Sequence, residues 1–254
     1  MGSVSLKDVR KVYPSGYEAV RDFNIEIEDG DFVVVVGPSG CGKSTVRKLI
    51  AGSETITSGE LYFNGELMND KPIKERKVAM MFQNFALYPN MTVYENLALG
   101  LKLRKIEQTE IDDRVNRMVK LLELESIVDR LPKSLSENQK HRVAMGRAAI
   151  CEPDIFLVEL PALNSKAKWH MRYALKKLNR ELGLTILYVT GDPEEAMELG
   201  GKIVVMNAHA IQQIGTAEEI YDEPEDLFVA QYFSKAAMNI LSATCEVQGE
   251  EVVL

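Results

Sequence analysis

Chemistry is concentrated at Gly37-Pro38-Ser39-Gly40-Cys41-Gly42-Lys43-Ser44, where glycines are spaced around a stretch that ends in a lysine and a hydroxyl. This stretch follows the unbroken apolar run 32–36 and precedes a helical pattern over 45–51, the strand, loop and helix setting of a P-loop. Glycines let backbone N–H groups turn inward around phosphate oxygens, and the helix N-terminus adds positive potential. Lys43 is placed to reach the β- and γ-phosphates and Ser44 to ligate Mg2+, with Thr45 completing the nucleotide-binding stretch. The predicted chemistry is nucleoside triphosphate binding. Cys41 lies where backbone makes the cradle, so its thiol is read as incidental rather than nucleophilic.

The elements that must hold this loop are legible from periodicity. Apolar or alternating stretches at 20–27, 32–36, 60–63, 78–82, 155–158, 185–189 and 202–206 read as strands. Several are too apolar to have a wet face, and helical patterns follow them, which predicts an α/β fold with a mostly parallel sheet covered on both sides. Between 92 and 150 the period becomes helical, so this segment is read as a helical lobe inserted in the core. Its last helix is expected to start at Ser136, a natural N-cap, and to run to about residue 150. A further helix is expected over 226–233. The stretches 241–247 and 250–254, joined by Gln248-Gly249, read as a hairpin that would begin a further domain.

Composition closes off several functions. The 254 residues carry 30 basic and 38 acidic side chains, a net charge of -8, which repels nucleic-acid phosphates and argues against a nucleic-acid partner. The strongest apolar run, 32–36, is far short of the ~18 residues that would suggest a membrane span. Cys41, Cys151 and Cys245 are odd in number and widely spaced, and the start has no apolar stretch of a signal peptide, so a reducing cytoplasm is expected. There is no Cys-x-x-Cys, no nucleophile elbow, and no metal spacing among His141, His170 and His209, which are read as surface or helix residues.

With Lys43 placed, nearly the whole chain resembles the ATP-binding subunits of ABC transporters, nearest the maltose and carbohydrate importers. The likeness rests on the loop above, on Phe82-Gln83-Asn84-Phe85-Ala86-Leu87-Tyr88-Pro89, which is similar to the family's Q-loop, and on Arg142-Val143-Ala144-Met145-Gly146-Arg147-Ala148, which matches the helix after its signature. The resemblance implies a P-loop NTPase core with a helical subdomain at about 88–150 and an antiparallel β subdomain. It also implies a nucleotide-binding domain over 1–240 and the start of a regulatory domain over 241–254. ATP and Mg2+ are the implied cofactors, with Gln83 sensing the metal and the attacking water. Tyr13 falls where the family stacks an aromatic on adenine, with Val20 nearby. The implied partners are a membrane-spanning subunit and a second ATP-binding subunit, which places the chain at the inner face of the cell membrane.

The chain departs from this family at the positions that split ATP and close the dimer. The signature Leu-Ser-Gly-Gly-Gln is replaced by Leu135-Ser136-Glu137-Asn138-Gln139. Glu137 would bring a carboxylate toward the partner's γ-phosphate, which at ~5 Å and an effective dielectric of about 20 costs roughly 3 kcal/mol. Asn138 adds bulk where backbone should approach, so the dimer is expected to be weakened. Glu159 stands for the Walker B aspartate and reaches the Mg2+ shell through one more methylene, while Leu160 stands for the general base. Lys166 replaces the D-loop aspartate in Leu163-Asn164-Ser165-Lys166, and Gly191 replaces the switch histidine. The first expectation is therefore ATP binding with impaired or absent hydrolysis. The alternatives are an active ATPase subunit energising carbohydrate import, with a partner subunit supplying the missing groups, and a noncatalytic scaffold with a relic P-loop.

Overall fold

The computed structural model describes residues 2–81, 86–160, 165–236, 238–241, 246–248 and 251–253. In chain order these form β1 (Val4–Val12), β2 (Glu18–Ile27), β3 (Phe32–Val36), α1 (Lys43–Ala51), β4 (Ser58–Phe63), β5 (Glu66–Leu67) and β6 (Val78–Met81). There follow α2 (Val93–Leu103), α3 (Gln108–Leu121), α4 (Glu137–Ala149), β7 (Ile155–Val158), α5 (Ser165–Leu182), β8 (Ile186–Thr190) and α6 (Pro193–Leu199). The remaining elements are β9 (Lys202–Asn207), β10 (Ala210–Gly215), α7 (Ala217–Asp222), α8 (Leu227–Phe233), β11 (Glu246–Gln248) and β12 (Glu251–Val253).

Among the described residues the strands order into a sheet β10-β9-β3-β8-β7-β6, parallel except for β10, and an antiparallel sheet β2-β1-β4-β5. The unbroken apolar runs are explained by this layering. Phe32, Val34 and Val36 face a core shared with α2 to α5, whereas Val33 and Val35 face a second core shared with α1 and the antiparallel sheet. Phe156 and Val158 on β7, and Ile186 and Tyr188 on β8, join the first core, while their neighbours Ile155, Leu157, Leu187 and Val189 join the second. Each of these strands is buried on both faces, so polar alternation has no place in it.

Helices α2, α3 and α4 occupy the chain between β6 and β7. Thr92 and Ser136 begin α2 and α4 with reciprocal capping boxes to Glu95 and Gln139, as the hydroxyl at Ser136 predicts. Asp226 likewise accepts from Val229 N and caps α8. Of the hairpin expected near the end, Glu246–Gln248 pairs with Glu251–Val253, and residues 242–245, 249, 250 and 254 lie outside the described residues. No helix among the described residues is long and apolar enough to cross a membrane.

Two longer strands escape the periodicity reading. In β1 the pairing register shifts between Leu6 and Val9, with Asp8 at φ 48°, so buried Val4 and Leu6 are out of phase with buried Val9 and a strict period of two is lost. Edge strand β10 reads Ala-Ile-Gln-Gln-Ile-Gly, and its buried residue is Gln213, whose amide is satisfied by Glu223 O and Glu225 N.

Candidate functional site

Strand β3 delivers the chain to the carboxyl edge of the parallel sheet, the edge where ligands of open α/β folds bind. The turn that follows requires glycine at two points for close approach. A Cβ at Gly37 would lie 2.1 Å from Met206 O, and one at Gly42, whose φ is 105°, would lie 2.3 Å from Ala19 O. Gly42 then caps α1 without a side-chain hydrogen bond, and no acidic residue stands in the first turn, so the helix N-terminus presents bare positive potential. Lys43 Nζ donates to Gly37 O and Pro38 O, each at 2.7 Å, and lies 3.7 Å from Cys41 Sγ. An incoming phosphate competes for the ammonium with two neutral carbonyls, an exchange that favours the charged acceptor. Cys41 is buried beneath the loop, in keeping with a packing role.

A cavity of about 600 Å³ opens over this loop. It brings Ser39, Gly40, Gly42, Lys43, Ser44 and Thr45 together with Glu159 and Leu160, which follow β7, and with Gly191, which follows β8. A Cβ at Gly191 would lie 3.6 Å from Gly37 O, an ordinary contact, so this position adjoins the loop and has room for a side chain. Tyr232 Oη donates to Gly191 O at 2.9 Å, and burial pushes the Tyr232 phenol up to about 12. Leu160 is half-buried and packs against the core shared with the helices.

Other sequence-predicted residues fall elsewhere. Tyr13 does not line the cavity; it stacks on Tyr17 with ring centroids 6.4 Å apart, and Tyr17 lines the cavity with its hydroxyl 3.4 Å from Gly40 O. Val20 is fully buried in β2. Gln83, and Leu163 and Asn164 of the D-loop, lie outside the described residues. Ser136, Asn138 and Gln139 line a separate cavity of about 490 Å³ beside Trp169 and His170, with Glu137 exposed, so one chain does not bring its own signature stretch to its P-loop cavity. His141 lies buried in α4, where burial pushes its pKa down, and His170 is exposed on α5. His209 departs from the surface-or-helix expectation: it sits half-buried in the β9–β10 turn, edge-on to Tyr17 at 5.2 Å.

Two charged groups escaped sequence reading, one that lines this cavity and one paired with a residue that lines it. Glu195 of α6 is 4% exposed and accepts from Tyr188 Oη at 2.9 Å and Thr190 Oγ1 at 2.7 Å, with Lys168 Nζ at 2.8 Å and Arg172 Nη1 at 3.3 Å. Burial alone would raise the Glu195 carboxyl; the hydrogen bonds from Lys168, Thr190 and Tyr188 outweigh it and hold the pKa below the ordinary value. The same burial, with Glu195 beside it, pushes the Tyr188 phenol up. This network ties β8, α5 and α6 together at Thr190, the residue before Gly191. The second group is Arg47, whose Nη2 lies 2.8 Å from Glu159 Oε2. Glu159, expected to reach the Mg2+ shell, lines the cavity with Ser44 and is paired there with this guanidinium. No cluster of three His, Cys, Asp or Glu suited to a metal occurs among the described residues. Ser44 and Glu159 both line the cavity, and Gln83, the third residue expected to face the metal, lies outside the described residues.

The profile of the ABC transporter family matches residues 20–161. The sn-glycerol-3-phosphate import ATP-binding protein UgpC of Psychromonas ingrahamii is 48% identical over 245 residues, covering 96% of this chain and 66% of that protein. The uncharacterized ABC transporter ATP-binding protein YurJ of Bacillus subtilis is 46% identical over 254 residues, 99% of this chain and 69% of that protein. Among solved structures, the dimeric post-hydrolysis state of the ATP-binding cassette MJ0796 bound to ADP and Pi aligns with a TM-score of 0.70 at 33% identity, over 84% of this chain and 98% of that one. The structure of cbiO1 from Clostridium perfringens, part of the transporter complex cbiONQ, aligns with a TM-score of 0.80 at 25% identity, over 87% and 91%.

Proposed function

Because the chain belongs to the ATP-binding domains of the ABC transporter family, we propose that it is the ATP-binding part of an importer. In this reading residues 1–240 form the nucleotide-binding domain, with the helical segment at about 88–150 docking on a membrane-spanning subunit at the inner face of the membrane. The observation that carries the reading is the loop of Gly37 to Ser44 at the start of α1, with Lys43 inside a cavity large enough for a triphosphate. The imported solute proposed is a small phosphorylated polyol or carbohydrate, by analogy with the named relative.

The relatives support a working transport ATPase better than a module without turnover, since the Psychromonas ingrahamii relative is an import ATP-binding protein. In that reading the chain acts in a dimer, and a second ATP-binding subunit supplies an intact signature and base. Impaired turnover has its own support in Leu160 and Gly191, which line the cavity with no side-chain group able to take or orient a proton. Glu195 and its partners hold the backbone of 190–192 in place in either reading. Phosphate release, with membrane subunits and candidate partner subunits added, separates them. Turnover that Lys43→Ala abolishes supports the energising ATPase, and release equal to that variant in every combination supports binding without hydrolysis.

A further inference from the structure

The cations of α5 divide between two faces. Lys168 and Arg172 turn to Glu195, whereas Lys166, Trp169, Tyr173, Lys176 and Arg180, three or four residues apart, form an exposed stripe with Lys177 half-buried beside it. No carboxylate occurs from residue 165 to 180. Trp169 and Tyr173 are each 53% exposed and stack with ring centroids 5.7 Å apart, and the stripe borders cavities of about 490 and about 530 Å³ that share Tyr173. Water-facing aromatics beside cations have the make-up of an interface.

The segment 217–227 has the opposite charge. It holds Glu218, Glu219, Asp222, Glu223, Glu225 and Asp226 without a cation among them, and Tyr221 and Leu227 are 61% and 52% exposed. Asp222, Glu223 and Glu225 are exposed as well. The two regions adjoin through α6: Lys176 Nζ donates to Glu198 O at 2.7 Å, and Glu198 lines a cavity of about 560 Å³ together with Tyr221. One face of the molecule therefore carries a cationic aromatic stripe beside an anionic aromatic one.

We propose that this face binds a second copy of the chain, the α5 stripe of each copy meeting the 217–227 segment of the other about a two-fold axis. A two-fold contact requires a self-complementary surface, and the adjoining stripes supply one. Lys176, Lys177 and Arg180 meet Asp222, Glu223 and Glu225 of the partner subunit, while Trp169 and Tyr173 pack with the partner's Tyr221. The net charge of -8 on each copy opposes approach, but with a Debye length of about 8 Å at physiological salt that repulsion is screened while touching charges are not. The contact uses neither the loop of Gly37 to Ser44 nor a nucleotide, so it stands apart from the ATP-linked dimer of the reading above.

Sedimentation equilibrium of the chain without nucleotide tests this, beside two charge-swapped variants, Lys176→Glu with Lys177→Glu and Asp222→Lys with Glu223→Lys. Wild type is expected to dimerise with a dissociation constant on the order of 10 μM at ~0.15 M NaCl, weakened about tenfold at ~1 M. Each swapped variant alone is expected to be monomeric, and mixing the two restores the dimer, since both of its contacts then pair opposite charges. Trp169 is the single tryptophan, so its emission should shift to the red as wild type is diluted and the ring returns to water. If a swapped variant fails to fold, Tyr221→Ser serves in its place and is expected to weaken the dimer about tenfold. A wild type that stays monomeric at about 200 μM overturns the proposal. So does a dimer that the swaps, or Tyr221→Ser, leave unchanged, or one that forms only with ATP and is lost in Lys43→Ala.

Discussion

The loop after β3 and the ends of β7 and β8 face the same cavity but are built differently. At the loop, the proposed binding rests on backbone: Gly37 and Gly42 are pressed against the carbonyls of Met206 and Ala19, and the N–H groups at the head of α1 are left without a side-chain cap. At the strand ends, function in the family is carried by side chains, and this chain has Glu159, Leu160 and Gly191 there. These replacements fit the fold without visible cost. Leu160 joins the core, Glu159 is neutralised by Arg47, and Gly191 is anchored through its carbonyl by Tyr232. The comparison teaches that a phosphate cradle and a hydrolytic edge are separable parts: the first is bound to the packing of the sheet, and the second is not.

The largest effect expected is at the strand ends' support. Glu195→Ala leaves Lys168 and Arg172 without their buried carboxylate and is expected to destabilise the fold by about 3–5 kcal/mol in urea unfolding. Because the folded pKa of Glu195 lies below the unfolded one, its stabilisation is full above the unfolded carboxyl value of about 4.3 and fades as pH falls through the folded value. Wild type should therefore lose more stability than Glu195→Gln on acidification below about pH 4.3. An equal loss in both would remove Glu195 from the support of this edge.

Next in size is restoration of the hydrolytic edge. Leu160→Glu combined with Gly191→His, for which the 3.6 Å clearance to Gly37 O leaves room, is expected to raise phosphate release about 10²-fold if the edge alone limits turnover. If the chain already works as an ATPase with a partner's groups, the double variant changes the rate little. A change of Gly42 to Ala strikes the cradle instead and is expected to destabilise by about 1–3 kcal/mol, with weakened ATP binding, since its Cβ meets backbone rather than a flexible side chain.

The smallest effect separates two aromatics. Tyr17→Ala and Tyr13→Ala test which ring carries the base, each worth about 0.5–1.5 kcal/mol of ATP affinity if it stacks. With Tyr17 on the cavity and Tyr13 behind it, the larger loss is expected for Tyr17. A larger loss for Tyr13 would restore the assignment implied by resemblance.

What could be read before folding was whatever is encoded locally. The run 32–36, the glycine spacing after it and the Ser136 cap each announce themselves within a few residues, because burial on both faces, backbone reversal and N-capping impose residue types directly. The bulged β1 hid its phase, and β10 hid behind glutamines satisfied by distant partners. Glu195 looks no different from its exposed neighbour Glu194 until β8 and α5 are brought against it. Arg47 and Glu159 are far apart in sequence, and only the fold brings α1 to the residue after β7 and pairs the guanidinium with a candidate metal ligand.

Equilibrium titration of the chain with ATP, beside Lys43→Ala, tests the central claim most directly. The account predicts one saturable site whose affinity falls at least about tenfold when the ammonium is removed, the loss expected for a charge-assisted contact of about 1.5–3 kcal/mol. Equal affinity in the two proteins, or no binding to either, would contradict it.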